Sequence, residues 1–588
     1  MLNGRLYRLS WLVAALALLV ALLTLESPGG APEPPLPPAF DAMAARAIAA
    51  DLATVAPERA PGTPGDVASA NWMAQQLAAV PGATKVGRQR FSVITPAGRV
   101  VTENVYVALP ARSGSSPGAI VISAPRDTPP GVRGAESGSA VLVQLARSLG
   151  TVARNRPVLV VSTGASTQGN AGARWFVSRF SGLPMAAAVS LDDPAGIPDG
   201  LHVWDDGQDG RRSIPVAAAA QQAAVRADAP LAQSPGPFPQ IASMAVPQTS
   251  GDQAAYIALG IPSVSLASRP EGPVGSGNLA TEDALGDAGR TAETLISSID
   301  QADALPSPAV GLVINERELR PVMSRLVILL LALPLLVAAL DLTVRLRRAG
   351  VRLWPFIAAL LWRLLPVVAA VLVAHLLVTA GMMAGASGGW PPLAEQVPFD
   401  LPAAVAALLS VGAGVLTWML VRHRAMRRDA EVASRAATGV IALGVLCLLL
   451  WLAGPFSLLI ALPAAHAALV ATRARRPWHV IALGLVALAP AVLLVWWASG
   501  RIDRGIPYTA WYLIETTVAG ARGIIGPVLA IAVLVTVWSL GSLVMSRVRR
   551  GLVAAGPYRP VPTEDERMAR RGRRPLPRPS FTRRGRAS

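Results

Sequence analysis

The segment SAPRDTPPGVRGAESGSA, residues 123–140, carries two carboxylates in places where an enzyme could use them. Asp127 follows an apolar run, and Glu136 precedes a segment with helical spacing of apolar residues. Carboxylates in a loop between a buried strand and a helix can bind a metal ion or transfer a proton, and α/β enzymes place their chemistry in such loops. The segment contains no histidine. It therefore has the outline of an active site but lacks the nitrogen ligand that a zinc site favours.

The surrounding pattern predicts the elements that would position these carboxylates. Buried strands are predicted for AIVISAP, RPVLVVSTG, AAAVSLDD and IPSVSLA, and helices for GSAVLVQLARSLG, GNAGARWFVSRF and DQAAYIALG. This alternation predicts an α/β domain with a mostly parallel sheet and helices on both faces, with its site at the carboxyl ends of the strands.

The composition is that of a membrane protein. Of the 588 residues 52% are hydrophobic and 15% are charged, and residues 322–546 consist of long apolar tracts separated by arginine clusters. The single cysteine, Cys447, excludes an intrachain disulfide and a cysteine metal cluster. The net charge of +17 comes largely from arginines between the tracts and in the tail, which favours membrane orientation over nucleic-acid binding.

The first apolar stretch follows Arg5 and Arg8 and is long for a cleaved signal peptide. We therefore expect a retained signal anchor with a cytoplasmic N-terminus. The predicted organisation is a signal-anchor helix at 1–26, a Pro-rich linker at 27–39, an extracytoplasmic domain at 40–302, a linker at 303–321, a membrane domain of about seven helices at 322–546 and a basic cytoplasmic tail at 547–588.

Charge and hydropathy agree on one topology with eight spans. The arginine-rich loops at 345–348, 422–428 and 472–476 and the tail all fall on the side of the N-terminus. Because positive loops stay in the cytoplasm, the protein is predicted in the cell membrane with its large domain outside. The short tracts on either side of residues 453–455 are compatible with two spans or with a re-entrant hairpin.

Five blocks of the outer domain resemble, in order and spacing, metallopeptidase family 28, the co-catalytic zinc exopeptidases of the aminopeptidase Y and aminopeptidase S type. The blocks are ERAPGTPGDVASANWMAQQLAAV, ISAPRDTPPGVRGAESGSAVLVQLAR, RPVLVVSTGASTQGNAGARWFV, AAAVSLDD and TSGDQAAYIALGIPSVSL. The resemblance covers about residues 40–302 and implies a zinc-exopeptidase fold.

The resemblance also implies that most of the zinc site is lost. Where the family has His-x-Asp, this chain has Pro125 in place of the histidine and keeps Asp127. Where the family has Gly-Ala-x-Asp, no aspartate stands at the matching position, although Glu136 is adjacent. Pro125 is thus lost as a ligand, and the orienting aspartate has no histidine to orient.

The remaining blocks continue this loss. Ser166 and Thr167 replace two family glutamates, a general base and a metal ligand. Asp192 keeps a ligand position, while the family Ser-Asp-His ends here in Asp252 and Gln253, so that Gln253 is lost as a ligand. Asp127, Ser166 and Thr167 are therefore degenerate catalytic positions. The residual metal candidates are Asp192, Glu136 and Asp252.

The histidine count points the same way. The chain has five histidines, of which only His202 lies outside the apolar region at 322–546. We therefore expect no catalytic residue, bound cofactor or zinc. Two interpretations of the surviving carboxylates stay open: oxygen ligands for calcium or magnesium, or caps for helices and loop amides.

Three functions follow. The first is a membrane-anchored pseudopeptidase that binds a peptide, glycan or protein partner and no nucleic acid. Its layout also resembles the peptidase-like subunit of glycosylphosphatidylinositol transamidase, which implies a scaffold role. The alternative is an active extracytoplasmic metallo-aminopeptidase with an atypical zinc site. A transporter ranks last, because few polar residues lie in mid-span.

Overall fold

The chain combines an α/β region with a region of long apolar helices. The computed structural model describes residues 3–554 apart from residues 96–97, 112–117, 197–199, 248, 250, 269–279, 385–396, 398, 429–431, 472–476, 503 and 521–524. The predicted basic loop at 472–476 and most of the predicted tail lie outside the described residues.

One mixed sheet organises the α/β region. Its strands are β1 (Gly87–Thr95), β2 (Gly98–Leu109), β3 (Ala119–Pro125), β4 (Val158–Thr163), β5 (Met185–Asp192), β6 (His202–Trp204) and β7 (Ser263–Ala267). They are arranged in the order β1-β2-β4-β3-β5-β7-β6. The four central strands, β4, β3, β5 and β7, are parallel and are the four predicted from the sequence. The predicted α/β class is confirmed, and β1, β2 and β6 add antiparallel margins.

Helices cover both faces of this sheet. Successive residues of a strand point to opposite faces, so Ile120 and Ile122 of β3 pack in one hydrophobic layer and Val121 packs in the other. The larger layer is covered by α2 (Ala42–Val55), α3 (Pro64–Ala78), α4 (Ser137–Gly150), α6 (Ile214–Arg226) and α9 (Glu282–Gln301). The smaller layer is covered by α5 (Ala171–Arg179) and α8 (Gln253–Ala258). Burial on both faces explains why the central strands are nearly continuous apolar runs.

The apolar tracts form helices. They are α1 (Gly4–Leu23), α10 (Pro321–Arg348), α11 (Trp354–Thr379), α12 (Leu401–Arg428), α13 (Val432–Ala453), α14 (Pro455–Ala471), α15 (Pro477–Ile502), the short α16 (Ile506–Val518) and α17 (Ile525–Ala554). Among the described residues, five helices are long and apolar enough to cross a membrane: α1, α10, α11, the part of α12 at Leu401–Arg424 and the part of α15 at Ile481–Ile502. These helices support the prediction of a membrane protein.

The two regions are in direct contact. Helix α7 (Pro237–Ala245) of the α/β region packs on α14, and its Met244 and Ala245 belong to one hydrophobic cluster with residues of α10, α13 and α14. The hydroxyl of Ser457 in α14 donates to the carbonyl of Ala245 at 2.8 Å. The predicted linker at 303–321 contains a hairpin, β8 (Leu312–Ile314) with β9 (Arg317–Leu319), which joins the same cluster.

Candidate functional site

The carboxyl edge of the parallel strands gathers most of the residues that the sequence singled out. Asp127 lies two residues beyond the end of β3, and Ser166 and Thr167 follow β4. Asp192 is the last residue of β5, and Asp252 immediately precedes α8. Parallel strands bring these positions to one edge, as the strand pattern predicts.

Asp127 binds the loop that follows β4. Its Oδ1 accepts a hydrogen bond from the backbone N–H of Ser166 at 2.8 Å. Its Oδ2 accepts from the N–H of Thr167 at 2.9 Å and from the Thr167 hydroxyl at 2.6 Å. Burial raises the pKa of Asp127, and the hydrogen bonds from Thr167 and Ser166 oppose that rise. Both oxygens of this carboxylate are thus engaged by protons of the neighbouring loop.

Asp252 is engaged in a similar way, by hydroxyl groups. Its Oδ2 accepts from Thr163 Oγ1 at 2.5 Å, and its Oδ1 accepts from Ser166 Oγ at 2.9 Å. The residue is fully buried. Burial raises the pKa of Asp252 to about 6, the two hydroxyls oppose this, and the nearby charge of Asp127 adds to it. Ser166 therefore bridges two carboxylates, through its N–H to Asp127 and through its hydroxyl to Asp252.

Glu136 pairs with an arginine that the sequence analysis missed. Its Oε1 lies 3.3 Å from Nη1 of Arg59, and both side chains are buried. Glu136 is the N-cap residue of α4, but its side chain forms no hydrogen bond to the helix N-terminus. The turn before it places Gly134 and Ala135 at positive φ, 106° and 61°. The observed contact of Glu136 is therefore an ion pair with Arg59 and not a helix cap, and metal binding by Glu136 stays a prediction.

Asp193, which follows Asp192 in the chain, contacts the start of α4. Ser137 Oγ donates to Asp193 Oδ1 at 2.6 Å and accepts from the N–H of Ala195 at 3.2 Å. The close approach of β5 to this helix leaves no room for a side chain at position 138, where a Cβ would meet the carbonyl of Leu191 at 2.3 Å. Asp193 and Glu136 thus both lie beside the N-terminus of α4.

The other predicted positions have different surroundings. Pro125 is the last residue of β3 and pairs in register with Thr163. Asp192 is half-buried and pairs in register with Ala267 of β7, while Gln253 is fully buried in the first turn of α8. His202 lies on the margin strand β6 and stacks on Trp204, with ring centroids 5.8 Å apart. Within the described ranges, no three His, Cys, Asp or Glu side chains are grouped so that they could hold a metal ion.

A second buried arginine links the strands next to the carboxyl edge. Arg126, the residue between Pro125 and Asp127, donates to Asp66 Oδ1 at 3.2 Å, to the carbonyl of Ser162 at 3.3 Å and to the carbonyl of Glu103. It thereby ties β3 to β2, β4 and α3. No sequence pattern marked this role, because two of its partners are backbone carbonyls.

The loop after β6 connects this edge to the apolar helices. Gln208 Nε2 donates to the carbonyl of Thr249, three residues before Asp252, at 2.6 Å. Asp206 lies two residues before Gln208 in the chain, and its Oδ2 is 3.3 Å from Nη2 of Arg501, near the end of α15. The Arg501 guanidinium also lies over the ring of Trp204, 5.5 Å from its centroid. Residues 205–213, between β6 and α6, form this junction loop. Its contacts were not predicted, because the partners are about 40 and 295 residues away in sequence.

Several solved structures of peptidases and cyclases are similar to this chain. A glutaminyl cyclase from an Acidobacteriales bacterium is 17% identical with a TM-score of 0.37, and the match covers 46% of this chain and 98% of the cyclase. A zinc aminopeptidase from Bacillus subtilis is 14% identical with a TM-score of 0.36 and the same coverage. LapB from Legionella pneumophila is 16% identical with a TM-score of 0.35, over 45% of this chain and 73% of LapB. The sequence matches no protein-family model and none of the curated proteins.

Proposed function

We propose that the α/β region is a non-catalytic domain, held at the membrane by the apolar helices, that binds a peptide, glycan or protein partner outside the cytoplasm. The observation that carries this proposal is the bridge formed by Ser166 between Asp127 and Asp252. All four oxygens of these buried carboxylates accept hydrogen bonds from the protein itself.

Such carboxylates are poor candidates for either role that hydrolysis requires. A general base must come within hydrogen-bonding distance of the water that it deprotonates. Asp252 is fully buried and is shielded by the hydroxyls of Thr163 and Ser166. Those hydroxyls do not take protons at neutral pH. The carboxyl edge has therefore lost the group that would activate a water molecule.

The side chains present also do not fit a zinc ion, which needs about three nitrogen, sulfur or carboxylate ligands. Proline at 125 has no ligand atom in its side chain, and glutamine at 253 offers only an amide. Of the residual candidate metal ligands, Asp252 accepts hydrogen bonds from hydroxyl groups and Glu136 forms an ion pair with Arg59. Asp192 alone does not make a zinc site.

A scaffold role is supported by the way the α/β region meets the membrane helices. The contact of α7 with α14 and the ion pair of Asp206 with Arg501 fix the domain on the helices at two separate points. A domain held in this way presents its remaining surface in a fixed orientation to the membrane. The arginine distribution supports placing that surface outside the cytoplasm.

The experiment uses the full chain in detergent, because α7 is packed on α14. Hydrolysis of a panel of aminoacyl substrates is measured after supplying zinc, with and without chelator, for the wild type and for Asp192→Ala. Asp209→Ala is the matched control, since Asp209 pairs with Arg211 at the surface. We expect no turnover above buffer in any sample. Chelator-sensitive turnover that is lost in Asp192→Ala and kept in Asp209→Ala would restore the active aminopeptidase.

A further inference from the structure

Strand β1 is the last strand at one margin of the sheet, and its far edge pairs with no strand among the described residues. It pairs with β2 over its whole length, from Gly87 opposite Tyr106 to Thr95 opposite Gly98. Every second residue of an edge strand directs its backbone N–H and C=O away from the sheet. Prolines and bulges often keep such edges from pairing, and β1 has neither. Its backbone can therefore accept a further strand.

The charge of this margin is positive. Within residues 67–126 the only acidic residue is Glu103, in β2. Glu103 is buried, and its Oε1 lies 2.9 Å from Nη1 of Arg88. Its Oε2 lies 3.4 Å from Nε of Arg90, but 76% of the Arg90 side chain is exposed. With Arg99 near the start of β2, three arginines share one carboxylate, so the margin keeps an excess of positive charge.

Apolar side chains lie beside these arginines on the same face of the hairpin. Alternate residues of a strand share a face, so Ile94 lies on the face of Arg90. Val101 is opposite Ser92 in the register, and both Val101 and Ile94 are 62% exposed. Nη1 of Arg99 donates to Ser92 Oγ at 3.2 Å, which places its guanidinium among them. This face therefore combines exposed arginines with exposed aliphatic groups.

The opposite face of β1 carries an exposed aromatic ring. Phe91 is buried, and its ring stacks on Trp175 of α5 with centroids 5.9 Å apart. The carbonyl of Trp175 accepts from Gln89 Nε2 at 2.8 Å, which fixes α5 against this strand. Trp175 nevertheless remains 48% exposed. Exposed tryptophans of this kind are frequent anchors of protein interfaces.

The charge decides which segment fits this edge. A second copy of β1 would bring two sets of the same arginines together, and like charges opposite each other destabilise a strand pair. The arginine-rich tail at 547–588 is unsuitable for the same reason. An acidic segment is complementary to Arg90 and Arg99. Because successive side chains of a strand point to opposite faces, its alternate residues would reach Trp175.

We propose that the open edge of β1 binds an extended acidic segment of a partner protein as an additional strand, with acidic side chains beside Arg90 and Arg99 and an apolar side chain on Trp175. In this mode of recognition the backbone hydrogen bonds supply affinity, and the alternating side chains select the sequence. The proposal deepens the proposed function and rests on it, because it names the class of partner that the non-catalytic domain binds.

Fluorescence anisotropy with the full chain in an uncharged detergent tests the backbone pairing. The probe is a labelled peptide, as long as β1, in which glutamate and valine alternate. Two further peptides carry backbone N-methyl groups at the glutamates only or at the valines only. Because one set of N–H groups of an added strand faces β1, we expect one methylated peptide to bind like the parent and the other about tenfold more weakly. Equal affinities of the two methylated peptides would overturn the proposal.

Substitutions test the side chains. Arg90→Gln combined with Arg99→Gln should weaken binding of the parent peptide about tenfold at low salt and less at high salt. Trp175→Ala should weaken it by about tenfold or more. Arg226→Gln, at the exposed end of α6, is the matched control and should change nothing. Unchanged affinity in the double variant or in Trp175→Ala would overturn the proposal. The methylated peptides use the wild-type chain, so they decide the question even if a variant does not fold.

Two other results would assign the edge to a different ligand and so overturn the proposal. Phosphatidylglycerol vesicles that bind the wild type but not the double variant, with no peptide bound, would indicate an anionic membrane surface. Equal binding of a peptide in which lysine and valine alternate would show that charge does not select the partner. Chelator-sensitive hydrolysis by the wild type would refute the proposed function instead, and it is measured without these peptides.

Discussion

Ser166 donates hydrogen bonds to two carboxylates, since its N–H binds Asp127 and its hydroxyl binds Asp252. The two acids nevertheless depend on different kinds of donor. Asp127 is held mainly by backbone N–H groups, which can only donate, whereas Asp252 is held by hydroxyls, which can also accept. Because of this difference, replacing the aspartate with asparagine should change the stability by different amounts at positions 127 and 252.

Asp127→Asn is expected to destabilise the protein more than Asp252→Asn. An asparagine at 127 turns an NH₂ group toward the backbone N–H of Ser166 or of Thr167, and a buried N–H that thereby loses its acceptor costs about 1–3 kcal/mol. At position 252 the hydroxyls of Thr163 and Ser166 can rotate and accept instead. Thermal unfolding in detergent measures both, and equal losses of melting temperature would contradict this assignment of donors.

The pH dependence of stability should also report on Asp252. Its pKa is raised by burial from 3.8 to about 6, so the folded state holds more protons than the unfolded state between these values. Stability from this group is therefore fully present below pH 4 and is lost as pH rises to 6, by roughly 3 kcal/mol at most. Between pH 4 and 6 the wild type should lose stability as the pH rises, whereas Asp252→Asn should lose none from this position, so that their melting temperatures change differently with pH. Parallel curves would exclude a raised pKa.

At the scale of elements, the junction loop between β6 and α6 determines how the α/β region is attached to α15. Asp206 and Arg501 are both largely buried, with side-chain exposures of 8% and 11%. Breaking a buried pair leaves one charge without compensation. The pair of Asp209 and Arg211, in the same loop, is exposed and offers a matched comparison.

Arg501→Ala should therefore destabilise the protein by about 3–5 kcal/mol, and Arg211→Ala by no more than about 1 kcal/mol. Unfolding in detergent gives the two losses. Limited proteolysis at the junction should also become faster in Arg501→Ala. If the two variants behaved alike, the ion pair would not be what holds the domain on α15.

The elements differ in how far the sequence could predict them. The four parallel strands were predicted because burial on both faces demands apolar runs. Strands β1 and β2 were not predicted, because polar residues interrupt their apolar patterns, as Glu103 does in the buried part of β2. The contacts of Glu103 with Arg88 and Arg90 exist only once the two strands are paired. The positions of Asp127 and Ser166 followed from strand ends, whereas Arg59 could not be found, since its partners are mostly carbonyls far along the chain.

At the scale of the whole molecule, the contacts place the α/β region at one end of the apolar helices. The end of α1 and the start of α10 meet there through Glu26 and Arg320, and the start of α14 and the end of α15 contact the domain through Ser457 and Arg501. The other end of α10 carries arginines 345, 347 and 348. This arrangement agrees with the predicted topology, whose sidedness stays a prediction.

Cysteine labelling of intact cells tests that sidedness. Val225 is exposed on α6, and Ala349 is exposed at the far end of α10. In a Cys447→Ala background, Val225→Cys should react with an impermeant maleimide, and Ala349→Cys should react only after the cells are permeabilised. The reverse pattern would place the α/β region in the cytoplasm.

The most direct test of the central claim is thermal melting of the full chain with and without chelator, together with its zinc content. If the carboxyl edge is held by Ser166, Thr163 and Arg59, its stability does not depend on a metal ion. We predict the same melting temperature before chelation, after chelation and after zinc is added back, with zinc well below one equivalent. A large drop with chelator that zinc reverses would contradict the account.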